Sequence, residues 1–105
     1  MINKKEAIEF LIEECYKKFP ELMKQISEEE MYKILDENIS EITSGQKDKD
    51  ASGLYFTETK EIQILNRGIV SLEDIKNDPD LIAVLVHESL HALFRKTKSK
   101  TRNWK

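Results

Sequence analysis

The chain has 105 residues, of which 39 % are hydrophobic and 35 % charged, and this size fits one small domain. The longest unbroken apolar run, Leu81 to Val86, is far shorter than the roughly 20 residues that span a bilayer, so we expect no membrane segment. The net charge is −3. The charged N-terminus does not resemble a secretory signal and Cys15 has no second cysteine to pair with, so we expect a cytoplasmic protein.

The first 42 residues are predicted to be helical. Asn3 and Glu6 have the spacing of a capping box and precede an amphipathic segment that ends near Pro20. A short helical turn follows, and Ser27 with Glu30 repeats the capping pattern. Apolar residues then recur at helical spacing to about residue 42, and they are Met31, Ile34, Leu35, Ile39 and Ile42. Residues 43–53 are polar and contain two glycines, which predicts a loop.

A change of pattern at residue 53 predicts a β-hairpin over residues 53–66. Two short β-prone runs, 54–57 and 61–65, are joined by three polar residues, and Ile62 and Ile64 share one face. Because two strands alone are marginally stable in water, this ribbon must pack against helices or gain another strand.

The last predicted element is a long helix over residues 79–98. Ser71 caps a short turn that runs through Lys76, and then Asp78 and Pro79 supply an N-cap and an N1 proline. The half of this helix that contains the run 81–86 is apolar nearly all round, which predicts a buried central helix. The sequence therefore predicts a single α+β domain, with a helical N-terminal part and a short antiparallel ribbon packed on the long helix.

That long helix contains the pattern His87-Glu88-Ser89-Leu90-His91, which includes both histidines of the chain. Because four residues turn about 400°, the two imidazoles project from one helix face, one turn apart, and their nitrogens can share a tetrahedral Zn²⁺. Glu88 projects about 100° away and would act as a general base on the water that attacks a peptide carbonyl. The alternative interpretation is that both histidines are hydrogen-bonded core residues.

The segment 53–66 followed by LIAVLVHESLHALF resembles the zincin-like metallopeptidases, and its layout is closest to the small bacterial and phage ImmA/IrrE and SprT-like proteins. The resemblance covers residues 53–94, and HESLH is its specific part. It implies that His87 and His91 are metal ligands and Glu88 is the catalytic base. It also implies a peptide or protein substrate that pairs with the ribbon around Tyr55, Ile62 and Ile64.

The chain departs from that family at the third metal ligand, because residues 92–105 contain no Asp, Glu, His or Cys. Upstream carboxylates are available at Glu58, Glu73, Asp74 and Asp78, but helix capping and surface charge account for them better than metal binding does. Three explanations stay open: an N-terminal fragment of a longer protein, a ligand borrowed from a partner or from a second copy in a homo-oligomer, and a degenerate relative. Two histidines alone would hold zinc weakly.

Two other functions compete with the zinc peptidase. The helical N-terminal part could dock a protein partner, with HESLH as a non-catalytic relic. Residues 95–105 carry six basic groups and no acid, which suggests the hypothesis of a DNA-associated protease of the SprT kind. We interpret this run as cations at a helix C-terminus and a solvated tail, because an acidic body would repel phosphate.

Overall fold

The fold is α+β, as predicted, with a helical N-terminal half and a three-stranded mixed sheet. The computed structural model describes residues 2–46, 51–66 and 68–101, with side chains up to residue 94. The helices are α1 (Lys4–Lys18), α2 (Pro20–Met23), α3 (Glu28–Asn38), α4 (Leu72–Lys76) and α5 (Pro79–Thr101). The strands are β1 (Glu41–Gln46), β2 (Gly53–Phe56) and β3 (Glu61–Asn66).

The helices begin where the sequence places their caps. The Asn3 side chain accepts a hydrogen bond from the Glu6 N–H, and complete capping boxes join Ser27 to Glu30 and Ser71 to Asp74. At the start of α5, the Asp80 N–H donates to Asp78 Oδ1 at 3.0 Å. These local hydrogen bonds satisfy N–H groups that a helix leaves unpaired at its start, so short sequence patterns suffice to locate them.

The prediction of a helix to about residue 42 is wrong, because α3 ends at Asn38 and β1 begins at Glu41. The predicted loop over 43–53 is wrong for residues 43–46 and 53, which belong to strands. Residues 51–52 lie outside any strand, as predicted, and residues 47–50 are outside the described residues. Ile39 already has an extended backbone, with φ −125° and ψ 116°. The polar residues of β1 obtain hydrogen bonds from distant segments. Thr43 Oγ1 donates to Glu61 Oε2 at 2.8 Å, and Ser44 Oγ accepts from the Val70 N–H at 3.0 Å.

The sheet has the order β1-β3-β2. The predicted hairpin is confirmed, since β2 pairs antiparallel with β3 and Tyr55 lies opposite Ile62. The third strand was not predicted: β1 pairs parallel with β3, and Ile42 lies opposite Ile62. The ribbon thus gains the additional strand that its marginal stability requires.

The core lies between the sheet and the helices and is built mainly from branched aliphatic side chains. Its fully buried large residues include Ile8, Leu11, Leu35, Ile42, Ile62, Ile64, Ile75 and Leu85. The long helix α5 contacts α1, α3, α4, β2 and β3, so it is the central helix, as predicted. It is not buried all round, because Ala83, His87 and His91 are exposed.

Two further predictions concern a membrane segment and the basic run 95–105. None of the helices among the described residues is both long and apolar enough to cross a membrane. The side chains of the basic run 95–105 lie outside the described residues, so the prediction about their contact with nucleic acid lies outside them as well.

Candidate metal centre

Both histidines of α5 face solvent from one side of the helix. His87 and His91 are exposed, their ring centroids are 4.8 Å apart, and the ring planes are perpendicular. Their Nε2 atoms approach to 3.2 Å, so one nitrogen can donate a hydrogen bond to the other when it carries a proton. The alternative interpretation of two core histidines sealed by neighbouring side chains does not describe this pair.

The same distance fits two ligands of a tetrahedral metal ion. Zinc binds imidazole nitrogen at about 2.0–2.1 Å, and two such bonds to atoms 3.2 Å apart subtend about 100–106° at the metal. The tetrahedral angle is about 109°, so the separation of the two nitrogens is compatible with a shared tetrahedral ion. Metal binding would replace the proton shared between the rings, because a ligating imidazole nitrogen must be unprotonated.

Glu88 lies between the two histidines in sequence but points into the protein. It is 6 % exposed, and its carboxylate makes no hydrogen bond or ion pair with the described residues. Its oxygens are not fully enclosed; in the described part of the chain, Ser89 Oγ is the fully enclosed side-chain polar atom that lacks a partner. A carboxylate that is largely removed from water and has no cation or donor beside it contributes nothing evident to stability.

The glycine at the start of β2 allows this edge strand to lie directly against α5. A Cβ atom on Gly53 would be 2.6 Å from Val84 Cγ1, 3.0 Å from Glu88 Cγ and 3.2 Å from Glu88 Oε2. No other residue type fits unless Val84 and Glu88 shift their side chains or the helix and the strand move apart. The sequence contains one signal of this contact, because a glycine inside a strand pattern often marks the close approach of another segment. The hairpin predicted over residues 53–66 includes Gly53, but its sequence pattern predicted no role for this glycine.

The three predicted substrate-binding residues have different positions. Ile62 and Ile64 are completely buried on β3, the central strand, so their side chains belong to the core and are out of reach of a peptide. Tyr55 lies on β2 and is half-buried, and its hydroxyl donates to the Asn38 carbonyl at 2.6 Å. Tyr55 therefore ties the sheet to the end of α3. Among the described strands, the edge strand of the predicted ribbon is β2, which pairs with β3 on one side.

A third protein ligand is not found among the described residues, which contain no group of three His, Cys, Asp or Glu side chains that could hold a metal ion. Asp74 and Asp78 cap helices, and hydrogen bonds from Ser71 lower the pKa of Asp74. Glu73 lies 3.8 Å from Lys76, and Glu58 is exposed in a turn. Cys15 is buried on α1, as predicted for a small core residue, and burial raises the pKa of its thiol, with Glu14 adding to the effect.

A scan against protein-family models and searches of curated proteins and of solved structures each return no match to this chain.

Proposed function

We propose that this chain is a zinc-dependent peptidase domain of the zincin-like kind, in which His87 and His91 hold the metal and Glu88 is the general base. The observation that carries the proposal is the combination of two exposed imidazoles at ligand spacing with the buried carboxylate of the residue that follows His87, which has no partner among the described residues. The proposal also places the reaction in the cytoplasm, in accordance with the free and buried thiol of Cys15.

The role of Glu88 follows from its surroundings. A carboxylate oxygen of Glu88 would accept a proton from the attacking water and then donate it to the nitrogen of the leaving amine. The apolar neighbours of α5 exclude water from most of the side chain, which strengthens the electrostatic interactions that the base makes during the reaction. Zinc, when bound, supplies a Lewis acid that polarises the peptide carbonyl and makes water more acidic.

The two histidines would provide two of the four positions that zinc requires. With two protein ligands the affinity for zinc is lower than that of a complete site. We therefore expect the protein to lose metal during purification and to bind it again when zinc is added. Zinc is therefore expected to raise the melting temperature in a concentration-dependent way, because a ligand that binds only the folded state stabilises it.

Cleavage of a peptide library by the untagged chain, with products identified by mass spectrometry, tests the proposal. The zinc-loaded protein should cleave, and EDTA should stop cleavage. Glu88→Gln should retain the thermal shift with zinc and lose at least about 100-fold in rate, the usual contribution of a general base. The matched control is Glu58→Gln, which alters an exposed carboxylate in a turn and should leave both readouts unchanged.

Activity that survives in Glu88→Gln would contradict the assigned mechanism. A second candidate function, a non-catalytic module that binds a protein partner, is favoured by one observation: among the described residues no third ligand accompanies the histidines. That alternative predicts no thermal shift with zinc, no cleavage, and unchanged stability when both His87 and His91 are replaced by Ala.

A further inference from the structure

The face of α5 that carries the two histidines is not covered by other described parts of the chain. Its exposed positions recur every three or four residues, and from residue 83 onward they are Ala83, His87, His91 and Phe94. Phe94 has 52 % of its surface exposed, which is unusual for a phenylalanine on a helix that is otherwise central to the core. None of these four side chains carries a fixed charge, so the neutral part of this face runs from Ala83 to Phe94, with the charged Asp80 one turn beyond Ala83.

The coordination chemistry of the histidine pair is incomplete within one copy. The two Nε2 atoms, 3.2 Å apart, occupy two positions of a tetrahedron, and the described residues supply no further ligand. Because both imidazoles are exposed, the remaining positions of an ion held by them face solvent and are reachable by another protein molecule.

We propose that a second copy of this chain completes the site, so that His87 and His91 of two molecules bind one zinc ion between two α5 helices. This inference rests on the metal binding of the proposed function but not on peptide hydrolysis. A two-fold axis through the ion presents the same pair of nitrogens from each side, and two pairs give the four ligands of a closed zinc site. One self-complementary face is therefore sufficient.

The neighbours of the histidines on this face suit the approach of a second helix. Ala83, one turn before His87, leaves space above the metal pair, and Phe94, one turn after His91, offers an apolar surface to the partner. The face is nevertheless small, since a stable interface usually takes about 20–30 residues from each side. Apolar contact alone would not hold the dimer, so the association should depend on the metal.

A four-histidine site has consequences for the activity proposed above. Catalytic zinc sites keep one position open for water or substrate, whereas sites with four protein ligands are structural. The dimer is thus a catalytically silent form, and the monomer is the form in which the site is accessible. Because dimerisation follows mass action, the activity of each chain should fall as the protein concentration rises at a fixed ratio of metal to protein.

Sedimentation equilibrium of the untagged chain during titration with ZnCl₂ tests the inference. The mass should rise from 12.3 kDa to twice that value, reach its plateau at one zinc for two chains, and return to the monomer with EDTA. His91→Ala should stay monomeric. The discriminating variant is Ala83→Arg, which leaves both imidazoles in place but puts a long cation on the contact face. It should bind one zinc per chain as a monomer.

Three other outcomes of the zinc titration would contradict the dimer. If the wild-type chain binds one zinc per molecule and stays monomeric, the dimer is refuted while the proposed peptidase stands. If no zinc binds, both the dimer and the zinc dependence of the peptidase are refuted. If Ala83→Arg or His91→Ala still dimerises with zinc, the association uses another surface and the inference is wrong. Circular dichroism of each variant checks that these exposed substitutions leave the fold intact.

Discussion

Replacing Gly53 by Ala should test the contact between the edge strand β2 and the central helix. The added Cβ atom would lie 2.6 Å from Val84 Cγ1, whereas carbon atoms in good contact are separated by about 3.5–4.0 Å. Either the Val84 side chain must leave its rotamer, or β2 or α5 must retreat by about 1 Å. Overpacking of this kind destabilises by about 1–3 kcal/mol. The reduced freedom of the unfolded chain recovers about 0.4–1 kcal/mol, because Ala has fewer backbone conformations than Gly.

The midpoints of these two ranges, about 2 and about 0.7 kcal/mol, leave a net loss of about 1.3 kcal/mol for Gly53→Ala. At about 4–8 °C per kcal/mol for a domain of this size, the melting temperature should fall by about 5–10 °C. Urea unfolding followed by circular dichroism measures the free energy directly. Since Glu88 Oε2 is also within 3.2 Å of the new atom, cleavage should decrease as well, while the exposed histidines keep their thermal shift with zinc.

Gly45→Ala is the matched control, since Gly45 also lies in a strand of the same sheet. A Cβ atom there would lie 3.6 Å from Gln63 Nε2 and 3.8 Å from Leu65 Cδ2, which are ordinary contacts. The stability of Gly45→Ala should therefore equal or slightly exceed that of the wild type. Equal stability of Gly53→Ala and the wild type, or an equal loss in both variants, would refute the close packing of β2 on α5.

Three other predictions follow from burial and from the pKa shifts. Leu35→Ala should lower the free energy of unfolding by about 2–5 kcal/mol in urea titrations, because Leu35 is 1 % exposed, whereas Leu22→Ala, at a position 44 % exposed, should change it by less than about 0.5 kcal/mol. Because the pKa of the Cys15 thiol is raised in the folded protein, this thiol ionises at a lower pH in the unfolded chain than in the folded one. Alkaline pH should therefore destabilise the wild type more than Cys15→Ala. Identical slopes of stability against pH for the two proteins would disprove this. The lowered pKa of Asp74 has the opposite sign: its contribution is present above the ordinary carboxyl pKa and is lost as pH falls through the lowered value, which NMR titration of the carboxyl carbon should detect.

The elements set by local interactions were predictable from the sequence. The capping hydrogen bonds of Asn3, Ser27 and Ser71 join residues three positions apart, so their patterns gave the helix starts. The spacing of His87 and His91 placed both rings on one side of α5 by helix geometry alone, and the structure adds that this side is open to solvent. Exposure depends on what packs nearby, which the spacing does not encode.

Long-range contacts decided the remainder. Ile39 and Ile42 fit a helical spacing, but Ile42 pairs with Ile62 in a parallel ladder, and a partner 20 residues away leaves no local signal. The same holds for Ile64 and Gly53. Both lie in the predicted hairpin, but the strand pattern does not predict which residues they contact. Only the tertiary structure sealed Ile64 in the core and set Gly53 against Glu88, because burial arises from the packing of segments distant in sequence.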